Sequence, residues 1–221
     1  SVRAVRGLDL VVPRGELFCF LGPNGAGKTT TIKMMTGLLK PTTGEIRIGG
    51  LDVRKEAVAA RRITGYIPDM PFLYDRLTIT EFMEFTGDLY GIPRERVLRE
   101  TEAAFDLFGL RDHRAALIKD LSHGLRQRVV YASTFLHEPS VLFVDEPFVG
   151  LDPYSIRLIK DLLRRKTREE GMTVFLTTHI LALAEDLADR VGIISRGRLS
   201  ALGSVAELQR EDVRRQEDRH A

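Results

Sequence analysis

Apolar residues along the chain fall into short runs and into longer stretches with helical periodicity, and the two kinds alternate. Short apolar runs of strand length occupy residues 17–21, 63–67, 141–144, 173–177 and 191–194. Helical periodicity marks residues 32–39, 156–168 and 181–187. Further β structure is predicted at 2–12, 45–48 and 198–202, with turns at 13–15 and 49–50. This alternation predicts an α/β fold with a mostly parallel sheet covered by helices.

Residues 71–138 have a different character, because strand patterns give way to helical ones at 81–90 and 95–108. We therefore predict one domain that spans the whole chain and contains a helical insertion. Its core, with a small antiparallel β subdomain, is expected at 1–70 and 139–208. The helical subdomain is expected at 71–138, and a charged, frayed tail at 209–221.

Composition narrows the class of partner. The 221 residues are 43% hydrophobic, enough for a sizeable core, and the net charge of +2 gives no reason to expect nucleic acid. The single cysteine, Cys19, lies within an apolar run, which indicates a buried core residue in a reducing compartment. No apolar run approaches the roughly 18 residues of a membrane span, so any membrane association would be peripheral.

A glycine-rich loop joins the first strong strand to a helix. Its glycines allow positive φ angles and close approach to an anion, where backbone N–H groups and the helix dipole favour phosphate. Lys28 would reach the terminal phosphates, and the Thr29 hydroxyl would ligate magnesium. The predicted nucleotide-binding residues of the loop are Gly22, Pro23, Asn24, Gly25, Ala26, Gly27, Lys28, Thr29 and Thr30. The alternative is a glycine-rich turn without a ligand.

Two acids follow the apolar run at 141–144, at the edge of a parallel sheet where ligands bind. Asp145 is predicted to hold magnesium, through water, because this ion keeps much of its hydration shell. Glu146 is predicted to take a proton from the attacking water. The alternative is a solvated acidic pair that ends a strand.

Taken together, the motifs resemble those of the nucleotide-binding subunit of an ATP-binding cassette (ABC) transporter, in the order typical of that family. The phosphate loop at 22–30 comes first, then the signature at 121–128 (Leu-Ser-His-Gly-Leu-Arg-Gln-Arg) and the acidic pair. Gly-Leu-Asp at 150–152 matches the D-loop, and His179 matches the switch histidine. The resemblance covers nearly the whole chain and implies a P-loop NTPase core.

In this family two cassettes dock head to tail, so the resemblance implies that each site needs two chains. Ser122 and Gly124 of the signature would face the γ-phosphate held by the other chain, and Asp152 would reach across the dimer. Ser122 alone could be an ordinary helix N-cap. His179 would contact the γ-phosphate and act with Glu146 and Lys28, although a lone histidine is more often structural.

The resemblance implies an ATP-hydrolysing subunit that powers transport, with ATP and Mg²⁺ as cofactors. The second cassette would be an identical copy or a paired subunit, and an integral membrane permease would complete the transporter. The subunit would be cytoplasmic, peripheral on the inner face of the membrane, and most similar to ABC-2-type exporters. The alternatives are a soluble ABC-type ATPase acting on a non-transport partner and a nucleotide-sensing module without turnover. A GTPase is disfavoured because that class recognises guanine through an Asn-Lys-x-Asp motif, and the only asparagine here is Asn24.

Three positions depart from the family pattern. Asp69 stands where glutamine is usual, although an aspartate can still ligate magnesium. The signature has His123 where many members have glycine, and Leu125 stands where a run that begins with glutamine is common. The aromatic residue that stacks on adenine is expected before residue 1, because the first tyrosine is Tyr66.

An aromatic-rich stretch follows Asp69 where this family docks its permease. It comprises Phe72 and Tyr74, together with Phe82, Phe85 and Leu89 on one predicted helix face. Packing in the core is the first interpretation for that face. Partial exposure would favour docking instead.

Overall fold

The computed structural model describes residues 3–210, which contain eight strands, seven α-helices before residue 204 and a further helical stretch at 205–210. Their bounds are β1 (Leu17–Leu21), α1 (Lys28–Met35), β2 (Arg47–Ile48), β3 (Leu51–Asp52), α2 (Ala57–Arg62), β4 (Thr64–Ile67), α3 (Ile79–Tyr90), α4 (Arg94–Phe108), α5 (His123–Phe135), β5 (Val141–Asp145), α6 (Pro153–Arg168), β6 (Thr173–Thr178), α7 (Leu181–Leu187), β7 (Arg190–Ser195) and β8 (Arg198–Gly203). Between residues 3 and 210, no helix is long and apolar enough to cross a membrane.

Six strands form one sheet in the order β4-β5-β6-β1-β7-β8, and only β8 runs antiparallel to its neighbour. A separate two-stranded antiparallel sheet pairs β2 with β3. The carboxyl ends of β4, β5, β6 and β1 therefore lie at the same edge. The predicted α/β fold, with a mostly parallel sheet, a small antiparallel sheet and a helical insertion, is confirmed.

Alternate residues of β1 enter two different cores because the sheet is buried on both faces. Leu17, Cys19 and Leu21 belong to the larger core, beneath the helical insertion. Phe18 and Phe20 belong to the smaller core, where both rings pack against Phe175 of β6. The prediction that Cys19 is buried is confirmed, and burial raises the pKa of its thiol to about 12.

The insertion consists of α3, α4 and α5, and local sequence defines the first of these helices. The Thr78 side chain accepts a hydrogen bond from the Glu81 N–H, and Glu81 accepts one from the Thr78 N–H. A Cβ on Gly87 would lie 2.3 Å from a methyl carbon of Val97, so this glycine allows α3 and α4 to pack closely. The close packing of α3 against α4 therefore depends on a glycine at position 87.

Two sequence predictions about local structure were wrong. Residues 3–16 form no strand, although Leu8, Leu10 and Val12 pack against the smaller core. Their alternation reflects the packing of one side of this segment on the core, which does not require strand pairing. Helix α1 begins at Lys28 and ends at Met35, earlier than the predicted 32–39, because Gly37 takes a positive φ of 73°.

The sequence also gave no indication of α2. The proposed subdomain limits remain predictions, and residues 211–221 of the predicted tail lie outside the described residues.

Candidate functional site

The glycine-rich loop lies between β1 and α1, as predicted, and is tied into the sheet. The Gly22 N–H donates to the Thr178 carbonyl at 3.2 Å. A Cβ on Gly22 would lie 2.4 Å from the Ile194 carbonyl oxygen, so a larger residue would displace the loop. Gly27, with φ of 110°, is the N-cap residue of α1, and within residues 3–210 no side chain caps that helix. The N–H groups of its first turn therefore remain available to an anion.

Lys28 lies across this loop and is only 6% exposed. Its Nζ donates to the Gly22 carbonyl at 2.7 Å and to the Pro23 carbonyl at 3.2 Å. The same Nζ lies 3.2 Å from Glu146 Oε1, close enough for an ion pair although not aligned as a hydrogen bond. Lys28 and Glu146, the predicted base, are therefore in direct contact.

Glu146 connects Lys28 to His179. Its backbone has a positive φ of 49°, which is uncommon for a residue with a side chain and is typical of functional sites. Its Oε2 lies 3.0 Å from His179 Nδ1. The three predicted catalytic residues come from the start of α1 and from the positions just after β5 and β6, and Glu146 contacts both of the others.

Asp145 is 1% exposed, and Thr177 of β6 holds its carboxylate. The Thr177 hydroxyl donates to Asp145 Oδ1 at 2.5 Å, while the Glu146 N–H donates to Thr177 Oγ1 at 3.2 Å. Strand register explains the contact, because Asp145 and Thr177 are partners in the β5–β6 pair. Sequence reasoning missed Thr177, and its only signal was a polar residue near the end of an apolar strand.

Asp69 follows β4 at the same edge of the sheet and is exposed. Partial burial, followed by the carboxylates of Asp145 and Glu146, raises the pKa of Asp69, while His123 lowers it. Burial also raises the pKa of Tyr66 to about 12, with Asp145 and Asp69 contributing. The charges of Asp145 and Glu146 therefore act on Asp69, which brings three carboxyl groups together at this edge of the sheet.

The residues fit a nucleotide phosphate chain with Mg²⁺. The loop offers free N–H groups and the Lys28 ammonium, and the Thr29 side chain is exposed at the start of α1. Residues 3–210 contain no group of three or more His, Cys, Asp or Glu side chains arranged to hold a metal by themselves. Magnesium is normally held by one or two carboxylates, water and substrate phosphates, so Asp145 and Thr29 match this usual environment.

The signature residues lie elsewhere, beside Asp152. Ser122 caps α5 by accepting from the Leu125 N–H at 3.3 Å, as predicted for an N-cap. A Cβ on Gly124 would lie 4.0 Å from Asp152 Oδ2, and one on Gly150 would lie 3.6 Å from the His123 ring. In the described part of the chain, no hydrogen bond or ion pair links Ser122, Gly124 or Asp152 to the loop at 22–30.

Asp152 itself caps α6. It accepts from the Ser155 N–H at 3.0 Å and from the Ser155 hydroxyl at 2.5 Å, and these bonds lower the pKa of Asp152. Sequence reasoning missed Ser155 and gave no separate role to Arg128, the last residue of the signature, whose guanidinium donates to the Ser155 hydroxyl oxygen at 2.8 Å. The only signal for the Asp152 contacts was the Asp-Pro-x-Ser pattern of a helix start at 152–155.

A protein-family model described as "ABC transporter" matches residues 5–149, about two thirds of the chain. The chain belongs to the ABC transporter family. It is 42% identical over 209 residues to the daunorubicin/doxorubicin resistance ATP-binding protein DrrA of Streptomyces peucetius, covering 95% of this chain and 63% of DrrA. This ABC chain spans 60% to 65% of the lengths of DrrA and of three other curated relatives that it matches.

Solved ABC structures share the fold. The ATP-binding subunit of an ABC transporter is 34% identical, with a TM-score of 0.88 over 94% of this chain and 86% of that one. The ATP-binding cassette MJ0796, solved as a dimer in a post-hydrolysis state with ADP and Pi, has a TM-score of 0.85 at 24% identity. Its alignment covers 92% of this chain and 91% of that one. The predicted P-loop NTPase core is confirmed.

Proposed function

We propose that this ABC protein binds and hydrolyses ATP and thereby powers a membrane transporter. The observation that carries this proposal is the Glu146 carboxylate, which lies between Lys28 Nζ at 3.2 Å and His179 Nδ1 at 3.0 Å at the phosphate loop. A carboxylate between a phosphate-binding lysine and a histidine suits activation of water beside a phosphate. Binding alone would not require it.

The proposal assigns a role to each residue of the site. The loop N–H groups and Lys28 bind the phosphates, while Thr29 and Asp145 hold Mg²⁺, with Asp69 as a further oxygen ligand at the same edge. When bound, Mg²⁺ neutralises the charge of the phosphates. Glu146 accepts the proton of the attacking water, and His179 contacts the γ-phosphate and orients the carboxylate.

A second cassette would complete each site. Ser122 and Asp152 are exposed, and neither bonds to the phosphate loop of its own chain in the described residues. The signature also begins a 13-residue helix, whose N-terminus favours an anion. Since a related cassette has been solved as a dimer, we propose that the signature of one chain faces the γ-phosphate held by the other.

The transporter itself requires a membrane partner. A groove of about 310 Å³ between the helical insertion and the core is lined by Tyr66, Phe82, Tyr90 and His137, among other residues. Phe72 is 87% exposed and Tyr74 59% exposed, and the Tyr74 ring packs against Phe82. We propose that a permease binds here and places the protein on the inner face of the cell membrane. The resistance function in the name of DrrA favours export.

Substitution of Glu146 by glutamine tests the enzyme assignment. Glu146→Gln keeps the shape of the side chain but removes the proton acceptor, so turnover should fall by about 10²- to 10⁴-fold while ATP binding is retained. Phosphate release measures turnover, and fluorescence of a labelled nucleotide measures binding. The control is Glu102→Gln, a surface carboxylate bonded to Arg111 and Arg114 away from the site, which should keep the parental rate. Parental turnover in Glu146→Gln would refute the assignment.

A further inference from the structure

Arg128 lies on the signature helix α5 and contacts two other helices. Its Nη1 donates to the Phe108 carbonyl, at the end of α4, at 3.3 Å. Its Nη2 donates to the Ser155 hydroxyl, in the first turn of α6, at 2.8 Å and lies 3.9 Å from Asp152 Oδ2. The guanidinium carbon lies 5.5 Å from the centre of the Tyr154 ring. One side chain therefore connects the signature helix with the start of α6.

The contact with Ser155 extends directly to Asp152. Ser155 is fully buried, and its hydroxyl accepts from Arg128 and donates to Asp152 Oδ2 at 2.5 Å. The Asp152 carboxylate in turn lies next to Gly124 of the signature. The chain Arg128–Ser155–Asp152 thus fixes the position of Asp152 relative to the helix that begins at Ser122.

We infer that Arg128 is a positioning residue that holds the signature and Asp152 as one rigid surface for the nucleotide bound by the partner cassette. This inference rests on the proposed function, since it requires a nucleotide-dependent dimer. The signature lies at the start of α5 and Asp152 at the start of α6. The hydrogen bonds of Arg128 join these two elements. Without these bonds, each element would have to be ordered separately when the dimer forms.

An arginine suits this position for a geometric reason. Its planar group reaches the Phe108 carbonyl and the Ser155 hydroxyl simultaneously through two different nitrogens. A lysine carries one compact ammonium group and cannot span both acceptors with the same planar geometry. Arg128→Lys is therefore expected to behave more like Arg128→Gln than like the parent.

The test separates nucleotide binding from dimer formation. In a Glu146→Gln background, which is expected to retain bound ATP, the single chain binds nucleotide through its own loop at 22–30. We expect Arg128→Gln to keep that affinity within about twofold and to weaken ATP-dependent dimerisation about tenfold or more, as for loss of hydrogen bonds to a charged group. Fluorescence titration with a labelled nucleotide measures binding, and sedimentation with ATP and Mg²⁺ measures dimerisation.

Arg96→Gln is the control, because Arg96 also joins two elements, through Glu138 at 2.6 Å, but has no contact with α6. It should lower the melting temperature without changing dimerisation. If Arg128→Gln lowers the melting temperature but dimerises like its parent, Arg128 is merely structural and the inference is wrong. If the Glu146→Gln parent binds ATP without dimerising, the two-chain site and the inference both fail. If it binds no ATP, the proposed function itself fails.

Mixed dimers then show which site Arg128 serves. Lys28→Ala removes nucleotide binding from one chain, so each mixed pair has one working loop. In the first pair, a Lys28→Ala chain meets an Arg128→Gln chain, and the working loop faces an intact Arg128. In the second pair, a chain with both substitutions meets a parental chain, and the working loop faces the altered signature.

We expect the first pair to associate with ATP about tenfold or more tightly than the second. A donor label on the Lys28→Ala chain and an acceptor on the other detect only mixed dimers. Labels can be attached at introduced surface cysteines, because the native Cys19 is fully buried. Equal association of the two pairs, or the reverse order, would show that Arg128 does not act on the partner's site.

Discussion

The Thr177 hydroxyl connects the two acids of the site through its donor and acceptor functions. It donates to Asp145 Oδ1, and its oxygen accepts from the Glu146 N–H. The Glu146 N–H is shared between this oxygen and the Thr177 backbone carbonyl, each at 3.2 Å, while the hydroxyl proton is directed towards the Asp145 carboxylate. One buried threonine therefore orients the proposed magnesium ligand and the backbone of the proposed base together.

Thr177→Val tests this role, because valine has nearly the same shape but no hydroxyl. We expect the Mg²⁺ concentration for half-maximal ATPase activity to rise by about 10-fold or more, the usual effect of losing a partner of a metal ligand. A magnesium titration of phosphate release measures it. Thr177→Ser keeps the hydroxyl and should restore most of the parental response. An unchanged titration in Thr177→Val would show that Asp145 needs no such support.

The difference between Asp145 and Thr177 shows what sequence can predict at this scale. Lys28, Asp145, Glu146 and His179 stand in short motifs beside their own strands, so their placement at one edge follows from local patterns. Thr177 acts on a residue 32 positions away, through the register of β5 against β6. Register between strands depends on packing of the whole sheet, and a single sequence does not encode it locally.

Between elements, His137 forms a similar connection on the other side of the insertion. It lies just after α5, and its ring stacks on Tyr90 of α3 at 3.9 Å between centroids and 10° between planes. Its Nε2 lies 3.0 Å from the Thr64 carbonyl and donates to it, while Nδ1 is buried without a partner in the described part of the chain. The histidine thus ties two helices of the insertion to β4.

This contact predicts a pH dependence of stability. Burial lowers the pKa of His137 below 6.5, and the bond to Thr64 opposes the shift only in part. Between the folded pKa and 6.5 the unfolded chain binds more protons, so acidification through this window should reduce the unfolding free energy. The loss should not exceed about 1.4 kcal/mol per pH unit for one proton. Urea unfolding at several pH values, followed by circular dichroism, measures it.

His137→Gln should lose this component and show a shallower decline in unfolding free energy below pH 6.5. His113→Gln, on the short turn after α4, lies outside the contact and should keep the parental slope. Equal slopes for the parent and His137→Gln would mean that protonation of His137 costs the fold nothing.

Hydrophobic periodicity predicted most of the elements around these contacts. Its two failures have different physical causes. The prediction for α7, at 181–187, was correct at both ends. The pattern at 2–12 reports burial of one face, and a strand also needs a partner. Helix α2 has only six residues, fewer than two turns, so it is too short to show a helical period.

Across the whole molecule, the nucleotide edge and the groove between the insertion and the core share β4. Tyr66 lies in β4 and lines the groove, and Asp69 follows the same strand at the nucleotide edge. Strand β4 therefore connects the two regions. Movement of the insertion during the ATP cycle would alter the groove, which gives a physical basis for coupling to a partner.

In the aromatic stretch after Asp69, some residues are buried and others are exposed. Core packing and partner docking, the two interpretations of its sequence, therefore each apply to part of it. Phe82 is buried, as expected for core packing, whereas Phe85 and Leu89 are exposed. Tyr74 packs edge-on against Phe85 at 5.1 Å between ring centroids and stays largely exposed itself. Helical spacing predicted a shared face but not how far that face is covered, because coverage depends on neighbouring elements and partners.

Phe72→Asp tests the proposed docking surface in the setting where the protein works. The substitution places a charge on the most exposed aromatic residue, so a permease should no longer be recovered with the tagged chain from detergent-solubilised membranes. Labelled-nucleotide binding by the isolated chain should stay unchanged, because residue 72 has no contact with the phosphate loop. Val11→Asp, at an apolar residue of similar exposure near Arg190, should retain the partner. Recovery of the same membrane protein with Phe72→Asp would place the permease contact elsewhere on the chain.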